Sequence, residues 1–346
     1  MSLITTIPAL AFPQEIDVLE FSRAGGSTAE SVNVVLQLDS HTILDVDLAY
    51  DANSRAKISG LADFLQTYAN DGTLHTLSVQ ADGASVASGK QVLGCSLKIN
   101  DTALQFCSKS FLSADLGLDH TLLPVASLKE KLTYPGAKEY VSLLLSSSAN
   151  MTITRTWLDA SGAVVQDSAT QELSAGLQTI DVSPMEREGM KLLCYDVRCG
   201  DRHKRLIADH DKEGEVVSIK FHNVFGLPDT IHFFGAVEKE IKPTRQSAVI
   251  DGQLKNYHVE VIPTWKAHVF AHTYGSLIHE FVSTTYAERC SDGCPIVLMS
   301  EDVKISSERH SLGTASVSWR ESNSRYSFTP KYRVRTFDAT FDTTFE

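Results

Sequence analysis

The chain has 346 residues, of which 42% are hydrophobic and 21% are charged, and its formal net charge is −12 at pH 7. This composition is ordinary for a globular protein, so it excludes wholesale disorder and predicts two or three domains with normal cores. The acidic balance argues against a general nucleic-acid-binding protein, because such a protein needs a basic surface to release the counterions of the phosphates.

Membrane and secretion signals are both missing from the sequence pattern. No apolar run approaches the roughly eighteen residues of a membrane span. Residues 1–15 have neither a positively charged start nor a long apolar stretch, so a secretory signal is not expected. We therefore expect synthesis in the cytoplasm, where the six cysteines would be free thiols: Cys95, Cys107, Cys194, Cys199, Cys290 and Cys294.

Residues 1–125 are predicted to form a β domain with one helix. In residues 30–39, hydrophobic side chains alternate with polar ones, as in a half-buried strand. Similar patterns predict further strands over residues 42–50, 75–80 and 91–100, with the Gly-, Ser- and Ala-rich residues 81–90 as a turn region. Ser59 is the expected N-cap of a helix that places Leu61, Phe64, Leu65 and Tyr68 at helical spacing.

Residues 126–210 show short, regularly spaced strand patterns, with Ala160-Ser161-Gly162 as a hairpin turn. This arrangement predicts a small sandwich of immunoglobulin-like size. The charged residues 209–214 are the best candidate for a linker.

Residues 211–346 are predicted to form a C-terminal β domain with one helix and a C-terminal arm. Strand patterns cover residues 231–241, 247–250 and 256–262, with Asp251-Gly252 as a hairpin turn, and later residues 296–299 and 315–319. Between them, Leu277, Ile278 and Phe281 form one stripe of a short helix. The predicted fold class is therefore mainly β, with several β-sandwich-like domains and one short helix in each outer domain.

Two groups of residues have spacings that resemble metal sites. Cys194 with Cys199 and Cys290 with Cys294 could be halves of a zinc site, but residues five apart in a strand point to opposite faces. His268 and His272 would share one face of a helix, but the Glu that zinc proteases carry directly after the first His is absent. We predict no metal site and no cofactor.

Catalytic patterns are equally weak. Acidic residues are numerous but scattered, and no nucleophile motif occurs. We therefore predict that the protein is not an enzyme. A hydrolase whose carboxylates meet only in space remains an open alternative.

The last ten residues are the most informative stretch. A four-residue repeat places Phe337, Phe341 and Phe345 on one face of a strand, with acidic residues and threonines on the other. These residues are either the final strand of their own domain or an arm that adds to the sheet of a neighbouring subunit, burying three aromatic rings there.

Three segments carry a resemblance to a known family: residues 221–234 (FHNVFGLPDTIHFF), residues 247–260 (SAVIDGQLKNYHVE) and the ending at residues 337–346, together with residues 303–319. They resemble uncharacterised tail-region structural proteins of Bacteroidetes phages and prophages. The resemblance covers about residues 215–346, and no catalytic residues are known for the family. It implies a virion component such as a distal-tail or baseplate protein.

The expected function is thus a structural component of a tailed phage virion that is assembled in the host cytoplasm. Its expected partners are further copies of itself and other virion tail proteins, with no nucleic acid and no membrane. The alternative is a carbohydrate-binding or adhesin-type module that contacts a host surface glycan. Trp265, which follows Pro263-Thr264 and is predicted to lie in a loop, is its candidate ligand contact.

Overall fold

A computed structural model describes residues 2–25, 27–96, 98–113, 130–210, 216–234, 237–250, 253–270, 277–278, 280–299, 314–322 and 326–328. Strands dominate these residues, which confirms the predicted mainly β fold with several sheets. None of the helices in the described part of the chain is both long and apolar enough to cross a bilayer.

In chain order the strands are β1 (Ser2–Leu3), β2 (Leu10–Ala11), β3 (Val18–Ser22), β4 (Ser31–Leu38), β5 (His41–Ala49), β6 (Arg55–Ser59), β7 (Leu74–Ala81), β8 (Ala84–Leu93), β9 (Glu130–Thr133), β10 (Tyr140–Leu145), β11 (Ala149–Asp159), β12 (Val164–Leu173), β13 (Gly176–Asp181), β14 (Met190–Cys199), β15 (Arg202–Ala208), β16 (Val217–His222), β17 (Pro228–Phe233), β18 (Val237–Ile250), β19 (Gln253–Phe270), β20 (Ala287–Arg289), β21 (Pro295–Leu298), β22 (Thr314–Glu321) and β23 (Tyr326–Phe328). The helical segments are α1 (Leu61–Ala69), α2 (Ala103–Lys109) and α3 (residues 277–278 and 280–283), and Pro13–Ile16 forms a 3-10 turn.

The N-terminal strands form two sheets, with the orders β2-β8-β7-β4-β5 and β1-β3-β6. The alternation predicted for residues 30–39 is confirmed, because the apolar residues of β4 are buried and pack in one cluster with Leu61 and Leu65 of α1. The predicted cap of α1 is wrong: Ser59 ends β6, and Gly60 is the N-cap. Helix α2, which the sequence pattern did not indicate, begins with a capping box between Thr102 and Gln105.

Strand β8 occupies most of the stretch that was expected to be a turn. The turn is confined to Asp82-Gly83, both of which have positive φ values, of 49° and 74°. A two-residue connection between antiparallel strands requires such a left-handed backbone, and Gly supplies it without steric cost. The Gly- and Ser-rich composition that suggested a long turn is instead accommodated within a strand.

Residues 130–210 form two sheets that enclose one core, as in a β-sandwich. The larger sheet has the order β12-β11-β14-β15-β9, and the smaller one pairs β10 with β13. Val141 and Leu143 of β10 are buried in the same cluster as Trp157 and Val197 of the larger sheet. Strand β9 is parallel to β15, and the other pairs of this sheet are antiparallel.

The chain divides into two compact units. The first comprises Met1–Asp211, Lys220–Ile231 and Gly275–Thr285; the second comprises Lys212–Ile219, His232–Tyr274 and Tyr286–Glu346. The chain therefore returns twice to the first unit. The three domains expected from the sequence stay a prediction, and most of the candidate linker at residues 209–214 lies outside the described residues.

The first returning segment supplies part of the core of the first unit. Phe225 is fully buried, and its ring centroid lies 6.0 Å from that of Phe12 and 5.7 Å from that of Phe106. The turn that carries Phe225 also touches the loop after α1, where Gly226 and Gly72 meet backbone to backbone. A Cβ on Gly226, whose φ is +72°, would lie 2.5 Å from the nitrogen of Gly72.

The same segment closes a buried network of charges. Lys131 of β9 donates hydrogen bonds from Nζ to Glu139 Oε2 (2.7 Å), Asp229 Oδ1 (3.0 Å) and Thr230 Oγ1 (2.9 Å), and all four side chains are buried. Burial alone would lower the pKa of Lys131, but the charges of Asp229 and Glu139 outweigh burial and hold the pKa above its ordinary value. Lys204 is also buried, with Nζ 4.0 Å from Asp229 Oδ2, which is beyond hydrogen-bonding distance.

A second charged group lies at one end of the neighbouring strands β4 and β7 of the N-terminal sheet. His75 is buried and bridges two carboxylates, with Nδ1 2.6 Å from Asp39 Oδ2 and Nε2 2.9 Å from Asp71 Oδ1. Burial opposes the charged imidazole, but the hydrogen bonds and charges of the two carboxylates outweigh burial, so the pKa of His75 is raised. The group ties the β4–β5 turn to the loop that precedes β7.

Candidate functional site: an exposed β-ribbon

Strands β18 and β19 form a long antiparallel hairpin in the second unit. Their pairing runs from Val237 opposite Ala267 to Ile250 opposite Gln253, with one irregularity between Gln246 and Ser247. We call these two strands the ribbon. The sequence pattern predicted separate strands here, at residues 231–241 and 247–250. The residues between them, 242–246, include Pro243 and two charged side chains. The structure shows one continuous strand, and the predicted turn at residues 251–252 lies outside the described residues.

Other strands support only part of the ribbon. In the second unit the strands β20-β21-β22-β19-β18 are neighbours in that order, and within the described residues β18 pairs with β19 alone, as an edge strand does. Strand β22 pairs with residues 265–270 of β19, and β23 pairs with residues 259–261. Among the described residues, no third strand pairs with residues 253–258. In the described part of the chain the distal half of the ribbon is therefore two-stranded, and an isolated two-stranded hairpin is marginally stable in water.

The ribbon exposes apolar side chains that a sheet would normally bury. Val249 and Leu254 are directly opposite each other and are 70% and 76% exposed, and Ile241, on the same face of β18, is 55% exposed. Each contributes apolar surface that would gain free energy on transfer from water to a protein interface. Exposed apolar side chains that are grouped on one face of a ribbon are typical of a surface for protein contacts.

The edge of β18 has features that discourage pairing with another strand along its proximal half, residues 237–243, but not along its distal half, residues 244–250. The proximal residues include Lys239, Lys242 and Pro243, and lysines and proline are features by which natural edge strands resist pairing with other strands. Residues 244–250 carry one charge, that of Arg245, and otherwise consist of small, polar or β-branched side chains. This distal stretch offers unpaired backbone groups to an incoming strand.

Trp265, the candidate ligand contact, does not lie in a loop. It occupies the interior of β19 opposite Trp319 of β22, so the predicted loop placement is wrong. The Nζ of Lys239 lies 4.8 Å from the centroid of its ring, a cation–π contact that covers one face. Phe337, Phe341 and Phe345 of the predicted arm lie outside the described residues.

The predicted metal-like groups are not assembled in the described part of the chain. There, no set of three or more His, Cys, Asp and Glu side chains is arranged to hold a metal ion. None of the six cysteines, all of which lie in the described residues, forms a disulfide. His268 lies in β19 and not in a helix, so the shared helical face considered for the two histidines does not hold for His268, and His272 lies outside the described residues.

Two carboxylates that the sequence could not bring together do converge, in the first unit. Glu139 and Asp229 are both bonded to Lys131, and all three side chains are at most 2% exposed. A substrate could not reach these carboxylates without opening the core, and both already accept hydrogen bonds from the Lys131 ammonium group. The arrangement stabilises the fold and does not resemble the open carboxylate pair of a glycosidase.

Comparison with models of known protein families finds no match for the chain, and no curated protein matches its sequence. The ribbon, with its exposed apolar pair and its unprotected distal edge, is therefore the candidate functional site on the chain's own geometry.

Proposed function

We propose that this protein is a non-enzymatic structural component of a tailed phage virion, at the distal tail or baseplate, that assembles with copies of itself and with other tail proteins. The observation that carries the proposal is the ribbon. Its length, its two-stranded distal half and its exposed Val249–Leu254 pair are features of a part that is completed by a neighbour. The resemblance of residues 215–346 to tail-region proteins supplies the biological setting.

The energetic argument favours assembly over an isolated chain. Fully burying a Val or Leu side chain contributes about 1.5–3 kcal/mol, and about 1.4 kcal/mol changes a dissociation constant tenfold. Burial of this pair alone would therefore strengthen an interface on the order of 100-fold. In a symmetric assembly every copy presents the same surface, so the contribution is repeated at each contact.

The proposal is tested by measuring the mass of the full chain in solution, by light scattering over a wide range of concentration. We expect oligomers, and we expect the double substitution Val249→Ser and Leu254→Ser to shift them to monomers without loss of fold, because both side chains are exposed. Val164→Ser is the matched control, since Val164 is 62% exposed at the start of β12. A chain that stays monomeric throughout, alone and with other tail proteins, would contradict the proposal.

The virion assignment has its own test. Particles produced from the genome that encodes the chain would be purified and labelled with an antibody against the protein. Labelling confined to one end of the tail is the expected result. Particles that lack the protein, while the infected cell contains it, would exclude a virion role and leave a non-virion assembly protein.

A further inference from the structure

We infer that the C-terminal arm, residues 337–346, adds as a β-strand to residues 244–250 of β18 in a second copy of this chain. This inference rests on the proposed function, because it names the contact through which the copies assemble. It commits to one occupant of the exposed edge, and four observations lead to it.

The first observation is the state of the edge. Residues 238–247 of β18 are all exposed, and among the described residues only β19 pairs with this strand. Beyond Pro243, which cannot donate a backbone hydrogen bond, nothing in the sequence blunts the edge. Residues 244–250 are the part of the ribbon where a further strand can pair along its whole length.

The second observation is charge. Residues 240–259 carry three basic side chains, Lys242, Arg245 and Lys255, and two acidic ones, Glu240 and Asp251, in a chain whose net charge is −12; Glu240 pairs with Lys242, with Oε1 2.8 Å from Nζ. Residues 336–346 carry three acidic side chains and no basic one. The acidic arm and the basic distal ribbon therefore attract each other.

The third observation concerns another long edge strand among the described residues. Strand β5 ends the N-terminal sheet, and its exposed face carries Asp45 and Asp47. Both carboxylates accept hydrogen bonds from the amide of Asn33, so they are held at that surface. An acidic arm placed along β5 would set like charges beside each other, which is destabilising.

The fourth observation is the matching of faces. An added strand shares its two faces with the strand beside it, and the arm alternates Phe with acidic or Thr residues. In the register that we infer, the Phe face extends the ribbon face that exposes Val249 and carries Arg245, with Ile241 on the same face just before the paired stretch. The acidic face then extends the opposite face of β18, which carries Lys242. Three phenylalanines would thus cover the apolar surface that the ribbon leaves in water.

The contact is head-to-tail, because the arm of one copy meets the ribbon of the next. A contact of this type generates rings or helical stacks, depending on the rotation between neighbours. It also makes a sharp prediction: each chain has one donor segment and one acceptor edge, so each can be disabled separately.

The test exchanges the charges of these two segments in the full chain. Variant R carries Lys242→Glu and Arg245→Glu, and variant A carries Asp338→Lys and Asp342→Lys. The control carries Lys57→Glu and Lys191→Glu, which make the same change of charge as variant R at exposed positions of β6 and β14. Sedimentation velocity gives the association of each protein, and circular dichroism checks the fold.

We expect R and A each to weaken self-association at least tenfold, and the control to assemble as the unaltered chain does. An equimolar mixture of R and A should recover assembly, because the acidic arm of R can dock on the basic ribbon of A and the basic arm of A can dock on the acidic ribbon of R. Misfolded variants could not complement each other in this way.

Two outcomes would overturn the inference. If the unaltered chain assembles and R assembles equally well, the arm does not use the ribbon, while the proposed structural function stands. If R and A are both monomeric and their mixture also stays monomeric, the arm does not pass to a second copy. An unaltered chain that never associates would remove the inference and weaken the proposed function together.

Discussion

Replacing Lys131 by Met is expected to destabilise the first unit by about 3–5 kcal/mol, because it leaves two buried carboxylates without their cation. The three hydrogen bonds from Lys131 Nζ, to Glu139, Asp229 and Thr230, are 2.7–3.0 Å long, and all four side chains are buried. For units of this size about 1 kcal/mol corresponds to roughly 2–4 °C in melting temperature, so the expected loss is about 6–20 °C.

Lys204 provides the matched control for this substitution. It is a second buried lysine beside Asp229, but its Nζ makes no hydrogen bond among the described residues. Lys204→Met should therefore change stability by no more than about 1 kcal/mol, because the lost attraction is offset by removal of an incompletely paired buried charge. Adding Glu139→Gln to Lys131→Met should recover part of the loss, since it removes one uncompensated carboxylate.

The assay is urea unfolding followed by circular dichroism, with the melting temperature measured by calorimetry on the same samples. If Lys131→Met costs less than about 1 kcal/mol, or if Lys204→Met costs as much, then the hydrogen-bonded ion network is not what stabilises this part of the core.

Three further predictions concern the first unit. Because the pKa of His75 is raised in the folded state, its ion pairs contribute fully to stability below the ordinary pKa of about 6.5 and are lost as the pH rises through the folded-state pKa. His75→Asn should therefore cost more stability at about pH 5.5 than at about pH 9. Equal costs at the two pH values would contradict a charged His75. Gly226→Ala should lower the free energy of unfolding by more than about 2 kcal/mol, because the new Cβ would overlap the backbone of Gly72. Gly162→Ala, at a position with open space around it and a similar φ, should lower it by only about 1 kcal/mol. Equal urea midpoints for the two variants would refute the contact. Thr102→Ala should cost about 1 kcal/mol and Thr102→Ser much less, since only the latter keeps the cap of α2; the same midpoints in urea would show that the cap is dispensable.

Periodicity predicted the fold best where one face of a strand is buried. Strand β4 has buried apolar residues at alternate positions and was predicted almost to its ends, as was α1 with its buried Leu61 and Leu65. Local composition gave a wrong prediction where turn-prone residues lie inside a strand, as they do in β8. Helix α2 spans only seven residues, too few for a periodic signal, although its capping box was present in the sequence.

The candidate site was harder to predict, because it depends on pairings that a local pattern does not contain. Pro243 and the charges around it interrupt the alternation of β18, so the sequence suggested two short strands. An edge strand tolerates both features, and only the sheet order shows that β18 is an edge. Trp265 follows a proline, which suggested a loop, yet Pro263 lies opposite Ile241 within the ribbon.

The buried charges could not be predicted for a different reason. Lys131 and Asp229 are 98 positions apart, and an isolated Lys or Asp in a sequence is most simply assigned to the surface. Only the return of residues 220–231 to the first unit brings them together. That return leaves no periodic signal, because it depends on the path of the whole chain.

This return also constrains the order of events during synthesis. When residue 211 has been made, the core around Phe12 and Phe106 still lacks Phe225, and Lys131 still lacks Asp229. The first unit therefore cannot be complete until its last segment, Gly275–Thr285, has left the ribosome, roughly 4–15 s later at about 5–20 residues per second. During that interval the nascent chain exposes an unfilled apolar core. A ribosome-bound chaperone should therefore associate longer with this protein than with one whose N-terminal domain is continuous in sequence.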